Sequence, residues 1–362
     1  MTSGDPVALS VDDLAACRGQ LRGGSRSFHA ASLLLPEAFR EPACALYAFC
    51  RMADDLIDGQ DDCTQALRQL HRRLEALYAG RPEPDAADRA LAEVVRAHGL
   101  PKALLEALLE GFAWDAEGRR YEEISGVLAY SARVAGSVGA MMAVLMGSRD
   151  HDMLARACDL GVAMQLTNIA RDVGEDAAAG RLYLPRRWLR EAGIDPDAFL
   201  EDPVFSPALG SVIERLLSVA DVLYRRADSG IARLPRACRG GIYAARLLYA
   251  EIGHELRRRG LDSVSKRAVV STHRKLWVLL KLPRLFVLAG GDLKEKALAE
   301  NRFLVDAVAE GAGLSLPNPA GGLGRLARIE RRLVWILDLF EELERRDRPE
   351  PLRVVLADDS AG

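Results

Sequence analysis

Residues 101–115, PKALLEALLEGFAWD, place Leu104, Leu105, Leu108, Leu109 and Phe112 at spacings of three and four, the period of an α-helix that buries one face. Pro101 stands where the helix would begin, at a position where a missing N–H costs no hydrogen bond. The pattern spreads outward from here. SVIERLLSVADVLYRRA (211–227) and GGIYAARLLYAEIGHELRRRG (240–260) repeat it, the second bracketed by Gly240 and Gly260. Alternating strand patterns are essentially absent, so the expectation is an all-α protein of roughly ten or more helices, given a mean helix of about 11–12 residues.

The chain has 362 residues, 49% of them hydrophobic, enough for a large core. A formal net charge of −3 and 6% aromatics argue against a nucleic-acid partner, which calls for a basic excess and stacking platforms. Six cysteines (Cys17, Cys44, Cys50, Cys63, Cys158, Cys238) form no CxxC pair and read as buried thiols in a reducing compartment. Six scattered histidines without HExxH speak against zinc. The start, MTSGDPVALSVDDL, lacks the features of a signal peptide. The longest apolar run, AGSVGAMMAVLMG (135–147), is shorter than the ~20 residues a membrane span needs. A soluble, cytoplasmic protein is therefore expected.

Breaks fall at AGRPEPDAADR (79–89), EAGIDPDAFLEDPVFSP (191–207) and SLPNPAGGLGR (315–325), none long or polar enough to divide the chain. One domain over 1–362 is the expectation. It closes with an amphipathic helix over 325–348, RLARIERRLVWILDLFEELERRDR, which would dock on the core or serve an interface.

The chemistry begins with YAFCRMADDLIDGQDD (47–62), which puts five aspartates into nine positions, 54–62. Asp54 and Asp58 are four apart and share a face, with Gly59 placed to end the helix. These carboxylates would sit where the helix dipole repels them. Taken alone, such an end is a solvated acidic turn, and Asp61 and Asp62 read that way. The pattern returns, however, in MQLTNIARDVGEDAAAGRLYLP (164–185). Asn168, Asp172 and Asp176 step by four along what reads as one helix, with Gln165 a turn earlier. That stretch is too apolar for a surface helix, and buried polar side chains must be satisfied. Sets made only of oxygen ligands suit hard cations, above all Mg²⁺, with Mn²⁺ sharing the preference. Mg²⁺ typically takes one or two carboxylates and completes its shell with water and substrate phosphate. Two acid helices facing each other across a cavity could thus grip a diphosphate through metal ions.

Basic residues flank both sets. Arg51 precedes Asp54 by three, Arg171 adjoins Asp172, and GRLYLP supplies Arg181 and Tyr183. GGSRSF contributes Ser25, Arg26 and Ser27. The planar fork of arginine suits phosphate oxygens.

Six stretches occur in order: GSRSFHAASLLLP (24–36), LYAFCRMADDLID (46–58), YSARVAGSVGAMMAVLMG (130–147), the 164–185 segment, LPRACRGGIYAARLLYAEIGHEL (234–256) and DSVSKRAVVSTHRK (262–275). On these the chain resembles the phytoene/squalene synthase family, most of all its phytoene-forming bacterial branch, over roughly residues 20–280. The resemblance implies an all-α isoprenoid-synthase bundle around a central cavity. It implies metal ligation by Asp54 and Asp58, and by Asn168, Asp172 and Asp176. It implies diphosphate contacts from Arg26, Arg51, Arg171 and Arg181. Ser25, Ser27, Phe28, Tyr47, Tyr130, Val134, Gln165, Tyr183 and Tyr249 match positions lining the site, with Arg171 and Tyr183 counted among the catalytic groups beside the aspartates. Ser131 replaces a frequent cysteine, Arg26 a frequent lysine, and Asp115 holds an expected acidic place.

The activity implied is the head-to-head joining of two geranylgeranyl diphosphates to phytoene through a cyclopropylcarbinyl diphosphate, in carotenoid biosynthesis. Mg²⁺ would assist ionisation, and no NADPH is expected. Three alternatives remain: the same reaction on fifteen-carbon farnesyl diphosphate, a head-to-tail prenyltransferase or terpene cyclase, and a non-catalytic helical scaffold. The run 135–147 reads equally as cavity wall or as tight helix packing. Greasy substrates imply peripheral contact with the inner membrane, for which LWVLLKLPRLFVLAGG (276–291) is the candidate against a reading as core. Protein partners and oligomeric state are left open by the sequence.

Overall fold

A computed structural model describes residues 9–24, 31–58, 63–280 and 295–310. Among these residues there are helices and connecting turns, and no strand. The helices are α1 (Val11–Gly24), α2 (Glu37–Asp58), α3 (Cys63–Tyr78), α4 (Ala86–His98), α5 (Lys102–Ala116), α6 (Ile124–Ser131), α7 (Ser137–Leu145), α8 (His151–Arg171), α9 (Val173–Ala178), α10 (Arg186–Glu191), α11 (Pro196–Glu201), α12 (Pro207–Ile231), α13 (Arg236–Arg258), α14 (Thr272–Leu279) and α15 (Arg302–Glu310). The helix at 325–348 and residues 281–291 of the candidate membrane segment lie outside the described residues.

Local chemistry sets the boundaries. Asp85 caps α4 by accepting the Ala87 N–H at 2.9 Å, and Gly99, at φ +56°, closes it in the left-handed conformation. Asp150 caps α8 through the Met153 N–H at 2.9 Å, and Ser206 caps α12 ahead of Pro207. Pro101 precedes α5 as expected, and Leu104, Leu105, Leu108 and Leu109 are buried. One boundary differs from the sequence reading. Helix α13 starts at Arg236, so Gly240 lies inside it. Its neighbour Gly241 faces Leu35, whose Cδ2 would lie 2.7 Å from an added Cβ, so that glycine serves packing rather than termination.

Helix α8 forms the axis. It packs on α12, α7, α13 and α15, and on the turn that joins α6 to α7. That turn, Ala132–Gly136, is a π-helical bulge, which keeps α6 and α7 one continuous helix over Ile124–Leu145. The apolar segment is therefore longer than the sequence run suggested. At 22 residues it has the length and composition to cross a membrane. Within the protein, 61% of its most apolar window is buried against neighbouring helices.

Close helix approach explains the glycines of this region. A Cβ on Gly139 would lie 2.2 Å from the Ala157 carbonyl oxygen, and one on Gly161 2.1 Å from that of Ala135. Backbone cannot yield as a flexible side chain can, so this close approach needs a glycine on one side of each contact.

Candidate active site

Behind this packing lies a cavity of about 360 Å³, walled almost wholly by apolar side chains. Helix α2 contributes Ala43, Leu46, Tyr47 and Cys50, and α8 contributes Leu160, Gly161, Met164, Gln165 and Asn168. Val134 comes from the π bulge and Tyr249 from α13. Five residues expected at the site, Tyr47, Val134, Gln165, Asn168 and Tyr249, thus line one cavity. Both readings of 135–147 hold together: Val138, Met142 and Met146 line the cavity, and Gly139 between them admits α8.

The acids follow from helix geometry. The α2 positions facing the cavity run 43, 46, 47, 50, and the next member of that face is Asp54. The α8 positions run 160, 161, 164, 165, 168, and the next is Asp172. Tyr249 lies within electrostatic reach of both Tyr47 on α2 and Arg171 on α8, so it stands between the two faces.

The second acid set departs from the sequence reading in one respect. Asn168, Asp172 and Asp176 do not share a helix: α8 ends at Arg171, Asp172 is its C-cap at φ −105° and ψ 16°, and Asp176 belongs to α9. The cause is Gly174, whose N–H donates to the Ser263 carbonyl at 3.0 Å instead of continuing the α8 ladder. A Cβ at Gly174 would lie 2.5 Å from the Val264 carbonyl oxygen, so the 263–264 backbone is pressed into the break. The chain still turns with helical pitch, because the Asp172 N–H reaches Asn168 O at 2.9 Å and the Asp176 N–H reaches Asp172 O at 2.8 Å. The three side chains therefore stay close to a common face across the kink.

The arginines are held by the carboxylates. Arg51 donates to Asp54 at 3.3 Å and pairs with Asp55 at 2.5 Å. Arg171 forks onto Asp172, and Arg267 forks onto the same carboxylate at 2.8 and 3.3 Å. Arg267 sits 95 residues further on, in an irregular stretch with no periodic signal, and sequence reasoning did not single it out. Burial pushes the Asp176 carboxyl up to about 7; the Asp172 charge adds to the rise and Arg181 opposes it.

The sequence reading named Asp115, Tyr130 and Tyr183 separately, and the structure links them. Tyr130 donates to Asp115 Oδ2 at 2.8 Å and Tyr183 to Oδ1 at 2.7 Å, with their rings stacked at 5.0 Å between centroids. Burial, reinforced by the Asp115 charge, holds both phenols far above their usual range, so both stay protonated. Asp115 also acts on Asp176, which places this cluster beside the second acid set. The Asp115–Tyr130–Tyr183 link spans 15 and 68 residues, and only the tertiary fold could reveal it.

The donor set fits a hard divalent cation. Asn168 Oδ1 is buried on the cavity wall with no hydrogen-bond partner among the described residues. Asp176 is a desolvated carboxyl beside another. Among the described residues no three His, Cys, Asp or Glu side chains stand close enough to hold a metal ion by themselves. An open arrangement is what Mg²⁺ uses when phosphate completes its shell. Ser25, Arg26, Ser27 and Phe28 lie outside the described residues, as does the side chain of Asp58.

An all-α bundle around an apolar cavity continued by carboxylates is the isoprenoid-synthase arrangement, and the comparisons agree. The squalene/phytoene synthase family model matches residues 21–274. The phytoene synthase of Cereibacter sphaeroides is 54% identical over 316 residues, covering 83% of this chain and 89% of that one. That of Rhodobacter capsulatus is 56% identical over 274 residues, covering 75% and 81%. Among solved structures, a ligand-bound dehydrosqualene synthase superposes with a TM-score of 0.72 at 32% identity, covering 77% of this chain and 98% of the other. The chain belongs to the squalene/phytoene synthase family. Its members are prenyltransferase-type enzymes that use prenyl diphosphates and generally depend on divalent metal.

Proposed function

We propose that the chain joins two geranylgeranyl diphosphates head to head to form phytoene, in carotenoid biosynthesis, releasing both diphosphates. The observation that carries this reading is the shared cavity: an apolar tunnel walled by α2 and α8, whose next helical positions are Asp54 and Asp172. The polyprenyl chain lies among Val138, Met142 and Leu160, where water that would quench a carbocation is excluded. The diphosphates lie at the acid end.

Asp54, Asp58, Asn168, Asp172 and Asp176 would hold Mg²⁺, or Mn²⁺ in its place, which when bound supplies Lewis-acid withdrawal of charge from the leaving diphosphate. Arg51, Arg171, Arg181 and Arg267 exchange carboxylate for phosphate oxygens, positive charge that stabilises the departing group. Arg26, with Ser25, Ser27, Phe28 and Tyr47, borders the same head group. Tyr130 and Tyr183 present neutral aromatic rings fixed by Asp115, and ring faces stabilise nearby cationic carbon. Gln165 and Tyr249 orient the substrate at the junction of head group and tail. No reductant takes part.

The proposed location is cytoplasmic, peripheral on the inner membrane. Support comes from Trp277 and Leu280, exposed at 48% and 74%, with the Arg274 guanidinium 4.4 Å over the Trp277 ring. Flotation with anionic liposomes checks it: protein left in the soluble fraction refutes the location.

Purified protein with Mg²⁺ and geranylgeranyl diphosphate should release diphosphate and yield a forty-carbon hydrocarbon without NADPH. A thirty-carbon product from farnesyl diphosphate, with no turnover of the longer substrate, would overturn the substrate assignment. No diphosphate release from either would overturn the enzyme assignment.

A further inference from the structure

Helix α6 runs into α7 through the π bulge at Ala132–Gly136, and the bulge has a local cause. In an α-helix the Ser137 N–H would meet the Arg133 carbonyl, four residues back. Here it donates to the Ala132 carbonyl instead. The Ser137 hydroxyl takes over its task, donating to the Arg133 carbonyl at 2.5 Å from a fully buried side chain. Arg133 braces the other side of the bulge. Its guanidinium donates to the Ala129 carbonyl at 3.1 Å, pairs with Glu110 at 2.9 Å and lies 4.1 Å over the Trp114 ring. Helix α5 presses on the bulge at Gly111, where a Cβ would lie 2.5 Å from Val134 Cγ1.

The bulge decides which side chains share a face. At about 100° per residue, an unbroken α-helix would turn Val138 about 80° and Met142 about 120° away from Tyr130. A π bulge takes up one residue without that turn, and both then come within about 20° of Tyr130. Tyr130 is thereby aligned with Val138 and Met142, while its hydroxyl reaches Asp115 at 2.8 Å and its ring stacks on Tyr183. Resting on the proposed function, we infer that Ser137 is a positioning residue. Its hydroxyl holds the bulge in place, and the bulge aims the Tyr130 ring at the reacting carbons. Without the hydroxyl a buried carbonyl loses its donor, and the extra residue can migrate along the helix. One half of the helix then turns against the other. Gly139 pins α7 against the Ala157 backbone, whereas Tyr130 is held by side-chain contacts, so Tyr130 gives way.

Ser137→Ala removes the hydroxyl alone. It should lower kcat per folded molecule by about tenfold or more, the scale of a small misplacement at a reacting centre. KM for geranylgeranyl diphosphate should stay within about threefold, because the groups proposed to hold the head group stand on other elements. Ser137→Thr keeps a hydroxyl and should hold kcat within about threefold of the wild type. On a Tyr130→Phe background, Ser137→Ala should cost less than about threefold, since its effect runs through Tyr130. Amide hydrogen exchange over residues 132–138 should quicken in Ser137→Ala, and unchanged exchange there would show that the hydroxyl does not hold the bulge. If the wild type forms no forty-carbon product, the proposed function fails, and the exchange comparison decides the bulge by itself. If it forms that product and Ser137→Ala keeps its kcat, or loses as much on the Tyr130→Phe background, the positioning role fails alone. Should Ser137→Ala not fold, Ser137→Thr against Ser137→Val, equal in shape, makes the same comparison.

Discussion

Asp54, at the end of α2, keeps 45% of its side chain exposed, whereas Asp172, at the end of α8, keeps 16%. Asp54 and Asp55 share one arginine from their own helix, an exposed pairing that contributes little to stability. Asp172 is gripped by two arginines, one adjacent and one 95 residues away, and is followed by a carboxyl whose burial raises it to about 7. The α2 end is therefore the more exposed of the two. The α8–α9 end is set in position by the loop at 263–267 before anything binds. In the proposed site the α2 half is the adaptable one and the α8–α9 half the one held in place.

The largest expected effect puts the two halves on equal footing in chemistry. Asp54→Ala and Asp172→Ala should each lower turnover by on the order of 10²–10³-fold or more, the scale for losing a preorganised electrostatic contact. Circular dichroism should show helix content retained. Near-normal turnover in either variant removes that residue from the site and breaks the symmetry.

The next effect tests the preorganised half. Gly174→Val forces a side chain against the Val264 carbonyl, so it should destabilise the protein by about 1–3 kcal/mol and lower activity with it. Chemical denaturation measures the loss, and an unchanged midpoint would mean that the break after Arg171 does not depend on this contact.

The third effect is a pH dependence of the metal-free protein. Asp176 keeps its proton up to about pH 7, against 3.8 for the ordinary side chain. Between those values the folded state binds more protons than the unfolded state, so stability falls as pH rises, by at most about 1.4 kcal/mol per unit. Asp176→Asn removes that loss. Its advantage in urea midpoint should grow from about pH 4 to about pH 7 and then level off, even as activity disappears. An advantage independent of pH would show that Asp176 is not strained in the folded chain.

The smallest effect sharpens the adaptable half. Asp55 is 57% exposed and points away from the cavity face, so Asp55→Ala should change turnover less than about threefold, in keeping with a surface pair. A loss as large as that of Asp54→Ala would enlarge the α2 site to both carboxylates.

Much of this was legible in the residues. The spacing in 101–115 marks a buried helix, and the recurrence of acids at intervals of four marks the proposed acid end, because helical period is a local property. Tyr47, Val134, Gln165, Asn168 and Tyr249 were named from sequence and line one cavity. The kink after Arg171 was not legible, since DVGED continues the helical pattern and only the Ser263–Val264 backbone breaks it. Nor could Gly240 be distinguished from a helix stop, because a glycine inside α13 and one beyond its end look alike in sequence.

The sequence by itself determined the helices, the oxygen-rich chemistry and the family, because each rests on residue type and near-neighbour spacing. The tertiary structure decided which distant groups meet: Arg267 on Asp172, Asp115 between Tyr130 and Tyr183, and the α2, α8 and α13 side chains that line one apolar cavity. Those pairings depend on how helices pack, and packing turns on glycine contacts and loop backbones whose partners lie tens to hundreds of residues away in the chain.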